Sequence, residues 1–234
     1  AELGIRFAPA SGRPLYTLEA MFPTLQDELV FIGDNGGAIR WKGQNLFTSE
    51  MSPEGWRALN RLTREQGDIA VLCGLESAYV ERPFAVHDAV LRHFYTKIEY
   101  VDRLEDVAAP ADKFTIYLPQ HNAQQAYDTV YASQRSIYSV AVAGECWVDI
   151  MNPGVHKGAA LQTLGQLWGL PSESIMAFGD TYNDAEMLQT VRYGFLMENG
   201  SEPLRQKVPF LAPSHREAGV MQVLHRVLAQ NGCV

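Results

Sequence analysis

Residues 175–188 read IMAFGDTYNDAEML and place Asp180, Asn183 and Asp184 within five positions, beside Gly179 and Thr181. Two carboxylates and an amide are hard oxygen donors. Such a set suits Mg²⁺, which keeps several waters and takes only one or two protein carboxylates. The same residues also fit a plainer role, with Asp184 capping the next helix and Asp180 solvated, because unpaired N–H groups and the helix dipole favour an acid there. Two other turns supply what an anion on such a metal would need. In ASGRP, Ser11 offers a hydroxyl and a backbone N–H, Gly12 leads toward a helix start, and Arg13 adds a guanidinium. In NPGVHKGAAL, Lys157 stands at a helix entry, with His156 directly before it as a candidate substrate contact. A lone lysine, or an arginine beside a proline, is ordinarily solvated or structural. The three turns carry the assignment together.

The elements that must position these turns alternate between strand and helix. Ile5–Ala8 reads as a strand, ASGRP as a turn, and Leu15, Leu18, Met21, Phe22 and Leu25 as a helical stripe. The apolar run in ELVFIGDNGGAIRW meets Asn35-Gly36, a pair that tolerates positive φ and signals a hairpin. Asn35 is a turn residue first, and a possible substrate contact because its turn should face the ligand crevice. From about Ser52 to Ala143, helical patterns (PEGWRALNRLTREQG, HNAQQAYDTVYASQ) alternate with short strands (DIAVLCG, KFTIYLP, SIYSVAVAG, CWVDIM). This stretch has the makings of a separate α/β core inserted into the first. After it, HKGAALQTLGQLWGL sets Ala160, Leu161, Leu164, Leu167 and Trp168 on one helical face. SIMAFGD is nearly all apolar, as a parallel strand covered on both faces should be. The fold class is α/β, a Rossmann-like doubly wound parallel sheet, in which ligands bind beyond the carboxyl ends of the strands. Asp180 stands at such an end.

Composition narrows the partners. With 19 basic and 27 acidic residues the net charge is −8, which argues against a nucleic-acid backbone and requires local cations for an anionic substrate. No apolar run approaches the roughly 20 residues of a membrane span, and the start AELGIRFAPASGRP has no signal-peptide pattern. Cys73, Cys146 and Cys233 form no CxxC pair, so a reducing, cytoplasmic setting is expected. The histidines make neither HxxxH nor HExxH, and no GxSxG occurs. Oligomeric state is open.

Taken in order, SGR, HKGAAL and GDTYND closely resemble three of the four signature motifs of the haloacid-dehalogenase-like (HAD) phosphohydrolases, in particular the Cof-type branch with its large α/β cap. IGDNGG and FLMENGSEPLR are similar to flanking stretches of the same family, so the resemblance runs over the whole chain. It implies a HAD core in residues 1–50 and 149–234, with a cap over 51–148. It implies a Mg²⁺-dependent phosphatase acting on a small phosphorylated metabolite through an aspartyl-phosphate. It implies that Ser11 and Gly12 bind the phosphoryl group, beside the candidate guanidinium of Arg13, that Asn183 is a phosphate-binding or lysine-orienting amide, and that Lys157 neutralises both the phosphoryl group and the nucleophilic carboxylate. Asp180 would be a direct Mg²⁺ ligand, and Asp184 would support the metal or its waters.

One motif is absent. The family's DxDGT, which carries the aspartate nucleophile and acid/base, precedes SGR, yet only ten residues precede Ser11 and none is aspartate. VDRLED at 101–106 and WVDIMN do not reproduce it. Three accounts stand: a preceding segment, a natural truncation surviving as a non-catalytic phosphometabolite- or partner-binding protein, or an aspartate from another chain. Loss of a central strand would leave an unpaired edge and an apolar strip, which favours the first.

Overall fold

The computed structural model describes residues 3–230. Residues 6–155 form one compact unit, and the remaining described residues form another.

In the first unit, the segment around Ala10 runs parallel to β1 (Val30–Gly33): Val30 N–H donates to the Phe7 carbonyl, Ile32 N–H to that of Pro9, and Ser11 N–H to that of Ile32. The strand expected at Ile5–Ala8 is therefore displaced and reduced to a single bridge. One more rung would need an N–H on Pro9, which has none. Helix α1 (Leu15–Ala20) buries Leu15, Tyr16 and Leu18. It stops short of the expected stripe, leaving Met21 and Leu25 57% and 39% exposed. Pro23 accounts for this, since a proline disfavours helical backbone in the residue before it. β1, β2 (Ala38–Trp41) and β3 (Gln44–Thr48) form an antiparallel meander whose first turn is the expected Asn-Gly hairpin.

Helix α2 (Pro53–Gln66) starts on Ser52, whose hydroxyl accepts from Gly55 N–H, and ends at Gly67 with φ 75°. Beyond it come β4 (Ile69–Gly74), β5 (Ala78–Glu81), α3 (Asp88–Leu91), β6 (Ile98–Val101), β7 (Ala111–Tyr117), α4 (Ala123–Asp128), β8 (Ser139–Val142) and β9 (Trp147–Met151). The six strands pair in the order β6-β5-β4-β7-β9-β8, antiparallel except for β5–β6. Side chains alternate across a sheet, and here both faces are covered. Leu72, Phe114, Ile116, Val148 and Ile150 pack with Trp56 and Leu59 of α2 on one face. Val71, Cys73, Tyr117 and Trp147 pack with Leu91 and Tyr95 on the other. Double coverage explains the unbroken apolar run of DIAVLCG. Helix α4 is shorter than its sequence pattern. The chain leaves the helix at the β-branched pair Thr129-Val130 and tightens into a 3₁₀ turn at Ala132–Ser136.

The second unit contains α5 (Lys157–Trp168), β10 (Met176–Gly179), α6 (Ala185–Thr190), β11 (Tyr193–Met197), β12 (Phe210–Ala212) and α7 (Gly219–Gln230). Its three strands are parallel, in the order β10-β11-β12. Val223 of α7 packs on Met197 and Ala212. Helix α5 buries Ala160, Leu161 and Leu164, whereas Leu167, expected on the same face, is exposed in the last turn before Gly169. Cys73 and Cys146 are free thiols, and Cys233 lies outside the described residues. Among the described residues no helix is long and apolar enough to cross a membrane.

Phe114 is fully buried at the centre of the six-stranded sheet. Phe114→Ala should lower stability by about 3–5 kcal/mol, read as a fall in the urea midpoint at unchanged slope. An unmoved midpoint would contradict the packing described for that face.

Candidate active site

The acidic turn follows directly on β10. Asp184 organises it: Oδ2 accepts from the backbone N–H of Asp180 (2.9 Å) and of Thr181 (3.1 Å), and Oδ1 meets Lys157 Nζ at 2.7 Å. Thr181 completes a reciprocal cap at the start of this turn. A Cβ on Gly179 would fall 2.5 Å from that of Asp184, so only glycine lets the strand end come this close. Lys157 and Asp184 are both buried, 5% and 4% exposed. Their mutual charge is what makes burial tolerable for either.

This division of labour separates the two aspartates. The Asp184 carboxylate is committed to Lys157 and to backbone amides. That of Asp180, exposed at the strand end, forms no side-chain hydrogen bond or ion pair among the described residues. Asn183 accepts from Thr181 Oγ1 at 2.5 Å. Among the described residues no group of three or more carboxylate, histidine or cysteine side chains converges as a metal cage. One open carboxylate with hard-oxygen neighbours fits Mg²⁺, which completes its shell with water and substrate. His156 has a defined task as well, since its Nδ1 accepts from Ala159 N–H at 3.1 Å and caps α5. The ring therefore anchors the helix that carries Lys157.

The other constellation lies in the first unit. Ser11 Oγ accepts from Arg13 N–H at 3.1 Å, which leaves the hydroxyl proton available to donate. The turn is tied to the β1–β2 hairpin by Asn35 N–H on the Ser11 carbonyl and Asp34 N–H on the Arg13 carbonyl. Arg13 is not a free fork: its Nη1 donates to the His93 carbonyl and its guanidinium lies 5.2 Å from the Phe94 ring centroid. Asn35 is buried, donates to Asp149 Oδ2 at 2.8 Å, and lies so close to Gly12 that a Cβ there would stand 3.0 Å from Asn35 Oδ1.

Beneath these turns sits a buried charge cluster that the sequence reading passed over. Lys113 Nζ lies 3.0 Å from Asp34 Oδ1 and 3.7 Å from Asp149 Oδ2, and donates to the Gly12 carbonyl at 2.5 Å. Thr115 donates to the other Asp149 oxygen at 2.7 Å. Burial opposes the charge on Lys113, but Asp149 and Asp34 outweigh it and hold its pKa well above the usual lysine value. Asp112 is buried with both carboxyl oxygens unpartnered, and burial, then the nearby Asp34, raises its pKa well above the carboxylate range. Asp34 and Asn35 both have positive φ, 50° and 56°, a conformation that asparagine and aspartate tolerate better than other side chains. The available signal was a lysine and an aspartate inside otherwise apolar strands, where charge is rare unless paired.

A family description, haloacid dehalogenase-like hydrolase, matches residues 1–224. The 5-amino-6-(5-phospho-D-ribitylamino)uracil phosphatase YbjI of Escherichia coli K12 is 31% identical over 228 residues, covering 96% of this chain and 84% of its own. The HMP-PP phosphatase of Cronobacter sakazakii is 30% identical over 89% of this chain and 77% of its own. Among solved structures, SMU.1108c from Streptococcus mutans UA159 superposes with a TM-score of 0.87 at 28% identity, over 97% of this chain and 87% of that one. The HAD subclass IIB sugar phosphatase BT4131 shares the fold at 18% identity, with a TM-score of 0.79. The chain belongs to the haloacid dehalogenase-like hydrolases, in the Cof-type branch of phosphatases that act on small phosphorylated metabolites.

Proposed function

We propose that the protein is a Mg²⁺-dependent phosphatase that hydrolyses a phosphate monoester of a small metabolite through an aspartyl-phosphate. The observation that carries this reading is the buried Lys157–Asp184 pair next to the open carboxylate of Asp180. Asp180, with Asn183 beside it, would hold the ion, which when bound supplies positive charge to the phosphoryl oxygens. Asp184 pairs with Lys157 at 2.7 Å and so aims it, and caps the turn that carries Asp180. Ser11 and Gly12 would bind phosphoryl oxygens by the hydroxyl proton and a backbone N–H. The nucleophilic aspartate of this route is matched by no residue of the sequence, so the roles assigned here are binding, orienting and neutralising. Residues 51–148, the expected cap, would select the leaving group. The relatives' names make 5-amino-6-(5-phospho-D-ribitylamino)uracil the first substrate to try, within a panel of sugar and cofactor-precursor phosphates.

The test is phosphate release from that panel by the protein as its gene encodes it, with and without Mg²⁺. Activity should require the ion, and Asp180→Asn should lower it by about 100-fold or more. Metal-independent turnover, or an Asp180→Asn variant as active as the parent, would sink the reading. Phosphate binding without turnover on any ester would point instead to a non-catalytic binding protein. Asp184→Ala should destabilise the fold by about 3–5 kcal/mol, because it strands a buried ammonium. Chemical denaturation of the two proteins measures this directly, and equal midpoints would show that Lys157 does not depend on Asp184.

A further inference from the structure

Lys113 lies in a central strand of a largely apolar sheet and is 1% exposed, yet its ammonium donates to the Gly12 carbonyl of the Ser11–Arg13 turn. The Gly12 carbonyl that receives its proton belongs to the same peptide group as the Arg13 N–H. That N–H is the donor to Ser11 Oγ. A full charge on the carbonyl draws electron density toward it and makes the N–H across the peptide a stronger donor. We infer that Lys113 is a positioning residue for the Ser11 hydroxyl, acting through the Gly12–Arg13 peptide so that the serine oxygen accepts inward and its proton donates outward to a phosphoryl oxygen. The inference rests on the reading of Ser11 and Gly12 as a phosphate seat.

The surroundings hold the ammonium to this task. Asp34 and Asp149 flank it at 3.0 and 3.7 Å, and among the described residues Lys113 is the donor recorded to the Gly12 carbonyl. Asp149 also takes Asn35 Nδ2, and Asn35 blocks the other side of Gly12, so the turn is fixed from two directions. The hairpin bonds from Asp34 N–H and Asn35 N–H to the Arg13 and Ser11 carbonyls close the frame. Lysine is the residue type this geometry needs: a long stem crossing an apolar layer and a compact ammonium, here donating to one carbonyl and lying 3.0 and 3.7 Å from two carboxylates.

The experiment follows the backbone amides of the ¹⁵N-labelled full chain while inorganic phosphate is added with Mg²⁺. Wild type should respond at Gly12 and Arg13, and Ser11→Ala should lose that response. In Lys113→Met the Arg13 amide proton should move upfield and the apparent phosphate Kd should rise about tenfold, roughly the loss of one charge-assisted hydrogen bond. The amides of Phe114 and Val148 should report an intact sheet, and Lys113→Arg should recover part of the affinity. A folded Lys113→Met with the wild-type Arg13 shift and wild-type Kd overturns the inference while leaving the phosphate seat standing. No response in wild type, matched by Ser11→Ala, removes the seat and the inference with it. Should the methionine variant not fold, the Lys113 ammonium resonance of the wild type decides: it should shift as phosphate binds, and an unmoved resonance at saturation overturns the proposal.

Discussion

A charge taken out of water must find its opposite close by, and this requirement organises both units. In one, Lys157 and Asp184 meet at 2.7 Å. In the other, Lys113 is held between Asp34 and Asp149. Each buried ammonium has a carboxylate within 3.0 Å, which offsets the cost of taking its charge out of water. Each pair also fixes a turn: Asp184 binds the amides at the end of β10, and Lys113 binds the carbonyl of Gly12. Electrostatic pairing and loop geometry are thus one arrangement seen from two sides.

The scaffold around these pairs is divided by chemistry. The parallel strands β10, β11 and β12 present the acidic turn from a strand end, where a parallel sheet conventionally offers its ligand groups. The mixed six-stranded sheet is largely apolar on both faces, and its most buried strands carry acidic or basic side chains only at Asp112, Lys113 and Asp149. Such a layer screens the lysine from water and lets one hydrogen bond carry more weight than it would at the surface.

Much of this was legible in the sequence, and the limits are instructive. Asp180, Asp184, Lys157, Ser11 and Gly12 stood out because their meaning is local: a turn, a helix start and a strand end, all visible within a few residues. The same was true of the Asn35-Gly36 hairpin. Lys113 and Asp149 were hidden because their significance arises from register. Thr115 faces Asp149 across β7 and β9, 34 residues apart, and only that pairing brings Lys113 to Asp149 and both toward the hairpin. Arg13 and His156 were legible as positions but not as roles, since the His93 carbonyl and the Ala159 amide that engage them are set by the folded chain. The two shortened helices have local causes, Pro23 and the pair Thr129-Val130, which a periodicity of apolar residues does not register.

The hairpin at Asp34–Gly36 has a consequence for how this protein can diverge. Three successive residues hold positive φ, and two of them carry side chains that are spoken for by Lys113 and Asp149. The permitted alphabet at these positions is therefore narrow on two independent grounds, backbone conformation and charge. Drift in the surrounding strands is freer, provided that it preserves volume and alternation. Over evolutionary time the turn should behave as a fixed pivot, about which the six-stranded sheet can be remodelled without disturbing the serine turn it supports.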